Sequence, residues 1–182
     1  MKIKSMLLKA VLILSVICLI ATVAMAKAKE KKGKGSYIAP TVTAEQAVTT
    51  VKNALPKLTA GNSYVKTGKR GEKKLEVPLV LEGNIVSKIR LNPATGEILP
   101  KGLETLAYTV SASPDQAVKI VQQALPNLEV ASVSLGKQGE WKVDLTFKKA
   151  IVAHISVHGG NGAILPDWKA SQSASFFTAA VK

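Results

Sequence analysis

Two stretches of the chain place apolar residues at helical spacing, and alternating apolar and polar positions follow each. Ala47, Val48, Val51, Ala54 and Leu55 fall on one face of a helix, as do Ala117, Val118, Val121, Ala124 and Leu125. Thr43 and Ser113 are N-cap residues, acidic Glu45 and Asp115 lie in the first turns, and Pro114 suits a first helical position. A Leu-Pro pair is expected to end each helix, because proline donates no hydrogen bond and biases the preceding residue away from the helical region. Beyond it, Leu75, Val77, Leu79 and Leu81 alternate up to a turn at Glu82-Gly83-Asn84, and Ile85, Ser87, Ile89 and Leu91 alternate after it. Val143, Leu145 and Phe147, then Ile151, Ala153, Ile155 and Val157, do the same later. Period-two alternation predicts antiparallel strands with one packed face and one wet face. Tight turns at Asn92–Glu97 and His158–Ala163 lead into short last strands at Ile98-Leu99 and Ile164-Leu165.

The two stretches are copies of one another. Gln46, Ala47, Val48, Val51, Ala54, Leu55, Pro56 and Leu58 return at a constant offset of 70 as Gln116 through Leu128. Gly96, Ile98, Leu99 and Pro100 return at an offset of 66 as Gly162, Ile164, Leu165 and Pro166. The missing four residues must come out of connecting loops, where length changes are tolerated. The expected fold class is therefore α+β: two tandem modules, residues 41–101 and 102–167, each with one helix packed on its own small antiparallel sheet. A module of roughly 60–70 residues is near the lower limit for independent stability. An interface between the copies is expected for that reason.

The helix ending in Ala54-Leu55-Pro56, the alternating strands and the turn Asn92-Pro93-Ala94-Thr95-Gly96-Glu97 together resemble the PepSY module. Ala124-Leu125-Pro126 with the turn from His158 to Gly162 matches more loosely, since His158 and Ala163 stand where an acidic or amide residue and a glutamate are usual. The resemblance covers nearly all of residues 41–167. It implies a non-catalytic exported module that binds or inhibits a peptidase, and it brings no set of catalytic residues with it.

The beginning of the chain bears on address. Lys2, Lys4 and Lys9 precede an apolar run from Ala10 to Ala24 that ends in Ala24-Met25-Ala26. That is the layout of a cleavable signal peptide over residues 1–26, and the run is shorter than the ~20 residues of a spanning helix. A periplasmic or extracellular protein, not integral to a membrane once processed, is the expectation. The one cysteine, Cys18, would leave with the signal, so neither a disulfide nor a thiolate site is expected afterwards. With Lys2, Lys4 and Lys9 removed, 22 of the 25 basic residues remain against 12 acidic ones. Residues 27–40 begin with a lysine-rich run and are expected to form a disordered basic arm.

Candidate chemistry is sparse. His154 and His158 stand four residues apart, about 13 Å along a straight strand, which is too far for two ligands of one metal. By the repeat they take the positions of Lys88 and Asn92 on the outward face. Ser132, Ser134, Ser171, Ser173 and Ser175 lie in no nucleophile motif, and Asp115, Asp144 and Asp167 each have a structural place. Gly159, Gly160 and Gly162 open a hairpin, not a helix, so a turn is expected there instead of a phosphate site. No catalytic, metal-binding or cofactor-binding residue stands out, no cofactor is expected, and the chain is not read as an enzyme.

Two surface features remain. Lys66, Lys69, Arg70, Lys73, Lys74, Lys88 and Arg90, with Lys137, Lys142, Lys148 and Lys149, form a basic surface suited to an anionic surface or polymer or an acidic redox protein. Aromatic residues do not interleave with them, so specific nucleic-acid recognition is not expected. The tail, residues 168–182, is read as a short helix on the second module or a frayed end, and its Phe176-Phe177 pair as a potential docking element. The readings carried forward are binding of another envelope protein, a peptidase by resemblance, self-assembly through sheet edges, and a basic adaptor.

Overall fold

Each helix starts with a reciprocal pair of hydrogen bonds. The Thr43 hydroxyl accepts from the Gln46 amide, and the Gln46 side chain accepts from the Thr43 amide. Ser113 and Gln116 repeat this capping box at the second helix. The computed structural model describes residues 39–178, which all fall within one compact unit. The expected signal peptide, residues 27–38 of the expected arm and the last four residues lie outside the described residues.

Helices α1 (Ala44–Ala54) and α2 (Pro114–Ala124) bury Ala47, Val51, Ala54 and Ala117, Val121, Ala124, the stripes expected from their spacing. Each α-helix ends at its Leu-Pro pair as expected, though not by a shift of the leucine out of the helical region. Leu55 and Leu125 keep helical dihedrals (φ −50°, ψ −46°), and each chain continues into a short 3-10 turn, Leu55–Lys57 and Leu125–Asn127. Each proline sits in the first turn of that element, where its missing N–H has no partner to lose.

The first sheet contains β1 (Thr59–Ala60), β2 (Tyr64–Thr67), β3 (Lys73–Leu81) and β4 (Asn84–Leu91). Strands β1 and β2 both pair with one edge of β3, and β4 pairs with the other. The second sheet runs β5 (Glu129–Leu135), β6 (Trp141–Phe147), β7 (Ala150–Val157), β8 (Ile164–Leu165) in that order. Every pairing is antiparallel. The two sheets correspond strand by strand: β5 stands for β1 and β2 together, and β8 for the bridge between Leu91 and Ile98. Matching bulges follow Leu79 and Leu145 and turn Val86 and Val152 inward. In consequence Ile151, expected on the packed face, is 38% exposed, because one extra residue reverses the alternation.

The helices do not sit on their own sheets. Helix α1 lies against β5, β6 and β7 of the second repeat, and α2 lies against β1 and β3 of the first. The mixed α+β class and the antiparallel sheets are as expected, but the pairing of helix and sheet is reciprocal. Hydrogen bonds hold the exchange at equivalent points. Thr41 and Val42, entering α1, both donate to the Gly159 carbonyl, while Ser111 and Ala112, entering α2, both donate to the Pro93 carbonyl. The Lys101 amide donates to Ile151 and the Asp167 amide to Ile85, again at matched positions. One apolar core results, with Val51, Leu75, Leu79, Val121, Leu145 and Ile155 all in it. The expected interface between the copies is thus the core itself.

A third helix, α3 (Trp168–Thr178), follows β8. Asp167 caps it by accepting from the Ala170 amide. The helix packs across β2, β3 and β4, so it covers the first repeat's sheet and not the second's. No helix among the described residues is long and apolar enough to cross a membrane.

Candidate binding grooves and the outer faces of the sheets

Each exchange point leaves a groove where one repeat's helix and hairpin meet the other's last turn. The first groove, about 650 Å³, lies between the Thr95–Pro100 segment, α2 and the β6–β7 hairpin. The second, about 390 Å³, lies between the 162–166 segment, α1 and the β3–β4 hairpin. Eleven of their wall positions correspond by the two repeat offsets, so most of their differences are substitutions in one frame. Ile120, Gln123, Phe147 and Ala150 line the first where Thr50, Asn53, Leu81 and Asn84 line the second. Leu103, half exposed in the linker between repeats, adds a further apolar wall to the first. Charge differs as well. Lys148 stands in the first groove at the position of Glu82, which Lys57 approaches at 3.8 Å in the second.

Both hairpins turn through two residues of positive φ, which fits the twist of the flanking strands. In the first these are Glu82 (50°) and Gly83 (83°); in the second they are Lys148 (49°) and Lys149 (67°). A lysine therefore replaces glycine at 149 against the backbone preference, at roughly 1–2 kcal/mol. The Lys148 ammonium lies 5.4 Å from the centre of the Phe147 ring, close enough for cation–π attraction.

The outer faces of the sheets also diverge. On the first, Glu76 is 1% exposed beneath α3. Its carboxylate accepts from the Tyr64 hydroxyl at 2.9 Å and from Lys88 at 2.6 Å, with Arg90 at 3.5 Å. Burial opposes the charge, but Lys88, Tyr64 and Arg90 outweigh it and hold the carboxyl below its usual range. Burial and the adjacent carboxylate push the Tyr64 phenol upward, and Phe177 stacks on its ring at 6.3 Å. The corresponding positions on the second sheet are Ser134, Lys142, His154 and Ser156. All four keep some solvent exposure.

The sequence-derived candidates separate accordingly. Lys88 and Arg90 belong to the Glu76 cluster, and Lys74 pairs with Glu72 and Glu104, so these three are not free basic surface. Lys142 pairs with Glu140 and Lys101 with Asp144. Among the described residues, Lys66, Lys69, Arg70, Lys119, Lys137, Lys148 and Lys149 have no carboxylate within ion-pair distance. His154 is half-buried on β7, where burial and the Lys101 ammonium hold its imidazole below the usual value. His158 is exposed at the turn, and its Nδ1 accepts from the Gly160 and Asn161 amides, much as Asn92 Oδ1 accepts from Ala94. Gly159, Gly160 and Gly162 lie in that turn. Ser132 donates to Asp144, and Ser171 and Ser175 bond back to helix carbonyls. No group of three His, Cys, Asp or Glu residues among the described residues is arranged to hold a metal. Phe177 is used against Tyr64, whereas Phe176 remains 71% exposed.

Sequence reasoning missed both grooves and the Glu76 cluster. A signal for the cluster existed in Glu76 itself, a charge flanked by Leu75 and Val77 and facing Lys88 and Arg90 across the hairpin. No family profile, curated protein sequence or solved structure matches the chain.

Proposed function

We propose that this chain is an exported, non-enzymatic binding protein that holds a segment of another envelope or extracellular protein in its first groove. The observation that carries the reading is the divergence of two equivalent grooves: one is larger and lined by Ile120, Phe147, Ala150 and Leu103, the other is smaller and less apolar, with Thr50 and Asn84 in place of Ile120 and Ala150. Concave, mostly apolar sites with a few placed polar groups are the usual form of a binding site. The resemblance to PepSY modules makes a peptidase the first partner to test, with inhibition by occupancy of a cleft as the mechanism.

Affinity capture from the native envelope fraction tests this with the processed chain, Ile120→Asp and Thr50→Asp as baits. The expected result is a peptidase or other protein that survives a high-salt wash on the parent and Thr50→Asp baits and is absent from Ile120→Asp. Equal retention on all three baits would exclude the groove. A second reading, a basic adaptor for anionic polymers or acidic proteins, draws on Lys66, Lys69, Arg70 and Lys137, which have no carboxylate partner among the described residues, and predicts binding that salt strips away. Self-assembly through edges draws on β5, whose residues are mostly exposed at the end of its sheet. It predicts scattering mass that grows with concentration.

A further inference from the structure

We propose that the first groove takes an extended peptide segment that combines apolar side chains with a carboxylate side chain. This rests on the protein-binding reading above and specifies the chemistry of the segment. A smaller hollow of about 290 Å³ continues the groove along α2, sharing Thr95, Gly96, Ile120 and Gln123 with it and carrying Lys119 on its wall. Lys148 lines the groove and Lys119 the smaller hollow, and neither has a carboxylate partner among the described residues. Between them Ile120 and Phe147 supply apolar contact. The acidic group that lines the channel, Glu97, is held within its own turn by the Thr95 hydroxyl.

The second groove acts as an internal control. Thr49 stands for Lys119, Glu82 for Lys148 with Lys57 3.8 Å from it, and Ala163 for Glu97, so among the described residues the same frame is charge-balanced there, whereas the combined channel carries two lysines against one glutamate. Two lysines therefore accompany the apolar substitutions in the one groove that has enlarged. An ammonium at the edge of an apolar channel favours a carboxylate that seats beside buried aliphatic side chains, and disfavours a like charge. An extended segment fits better than a compact ligand, because the two hollows share four wall residues and together follow α2 from the β6–β7 hairpin to Ser111 and Ala112.

The test uses fluorescence anisotropy on the processed chain with three labelled nonapeptides. Each alternates leucine with one polar residue: glutamate, glutamine or lysine. The glutamate probe is expected to bind at least tenfold more tightly than the glutamine probe, and the lysine probe not at all. K119E/K148E should reduce glutamate-probe binding at least tenfold and admit the lysine probe, while K69E/R70E, an equal charge change elsewhere, should alter it less than twofold. Equal binding of the glutamate and glutamine probes, or equal losses in the two double variants, would overturn the carboxylate assignment and leave the groove reading standing. Failure of all three probes would overturn both.

Discussion

Where the first sheet has Glu76, the second has Lys142, and where the first has Lys88, the second has His154. In the first repeat an acid sits among two cations and a phenol, so the outer face can close under α3 without leaving a buried charge alone. In the second, His154 lies opposite Asp144 with Lys142 diagonal to it, and burial together with the Lys101 ammonium favours the neutral imidazole. The grooves diverge in the same direction. The first repeat's hairpin and helix frame a smaller, less apolar groove with an ion pair, and the second repeat's frame a larger, more apolar one whose Lys148 has no carboxylate partner among the described residues. Duplication supplied two equivalent sites on one core. The outer face of the first repeat is covered by α3, while the equivalent positions of the second keep solvent exposure.

The largest expected effect is at the closed face. Glu76→Ala leaves Lys88 and Arg90 without their counter-charge beneath α3, and should cost about 3 kcal/mol in chemical denaturation. Its positional counterpart Lys142→Ala should cost about 0.5 kcal/mol or less. Similar losses at both positions would dissolve the contrast between the sheets. Next in size is Trp141→Phe, which removes the bond from the indole N–H to the Val42 carbonyl that ties the entry of α1 to the second sheet. A loss of about 1 kcal/mol is expected there.

Lys149→Gly should stabilise the protein by about 1 kcal/mol, and Gly83→Lys should destabilise it by a similar amount, since both hairpins need positive φ. If Lys149→Gly also leaves partner binding intact, the lysine at 149 serves no role in the groove. The smallest differences are in acid. The folded Glu76 pKa lies below the ordinary 4.5, so its stabilisation is complete above that value and disappears as pH falls through the lowered one. The His154 pKa is also lowered, and its neutral form therefore begins to cost stability as pH drops below 6.5. Denaturation followed from pH 7.5 to 3 should lose the earlier decline in His154→Gln and the later one in Glu76→Gln.

Caps, helical stripes, both hairpins and both final turns were legible because each depends on residues close in sequence. Thr43 with Gln46, or Glu82 with Gly83, carries its own local geometry. The reciprocal docking was not legible. The stripe Ala47, Val51, Ala54 shows that α1 must bury a face, but the two sheets present the same alternation, so the pattern suits either. The bulge at Val152 escaped for a related reason, since alternation alone has no mark for an inserted residue. Burial of Glu76 depends on α3, whose alanine- and serine-rich sequence gave a weak apolar stripe. The groove lysines were visible as charge, but nothing local distinguished Lys148 from Lys137; the repeat frame, read through the exchanged fold, separates them.

Exchange itself can be read from methyl NOEs. Val51 is expected to contact methyl groups in β5, β6 and β7, and NOEs mainly to β3 and β4 would restore the self-contained modules. The most direct test of the divergent grooves is a methyl-resolved NMR titration of residues 27–182 with the captured partner segment or the glutamate probe. Shifts concentrated at Ile98, Ile120 and Val152, with Val86 and Ile164 unmoved, are the expected result. Equal shifts in both grooves, or shifts confined to the β5 edge, would contradict it.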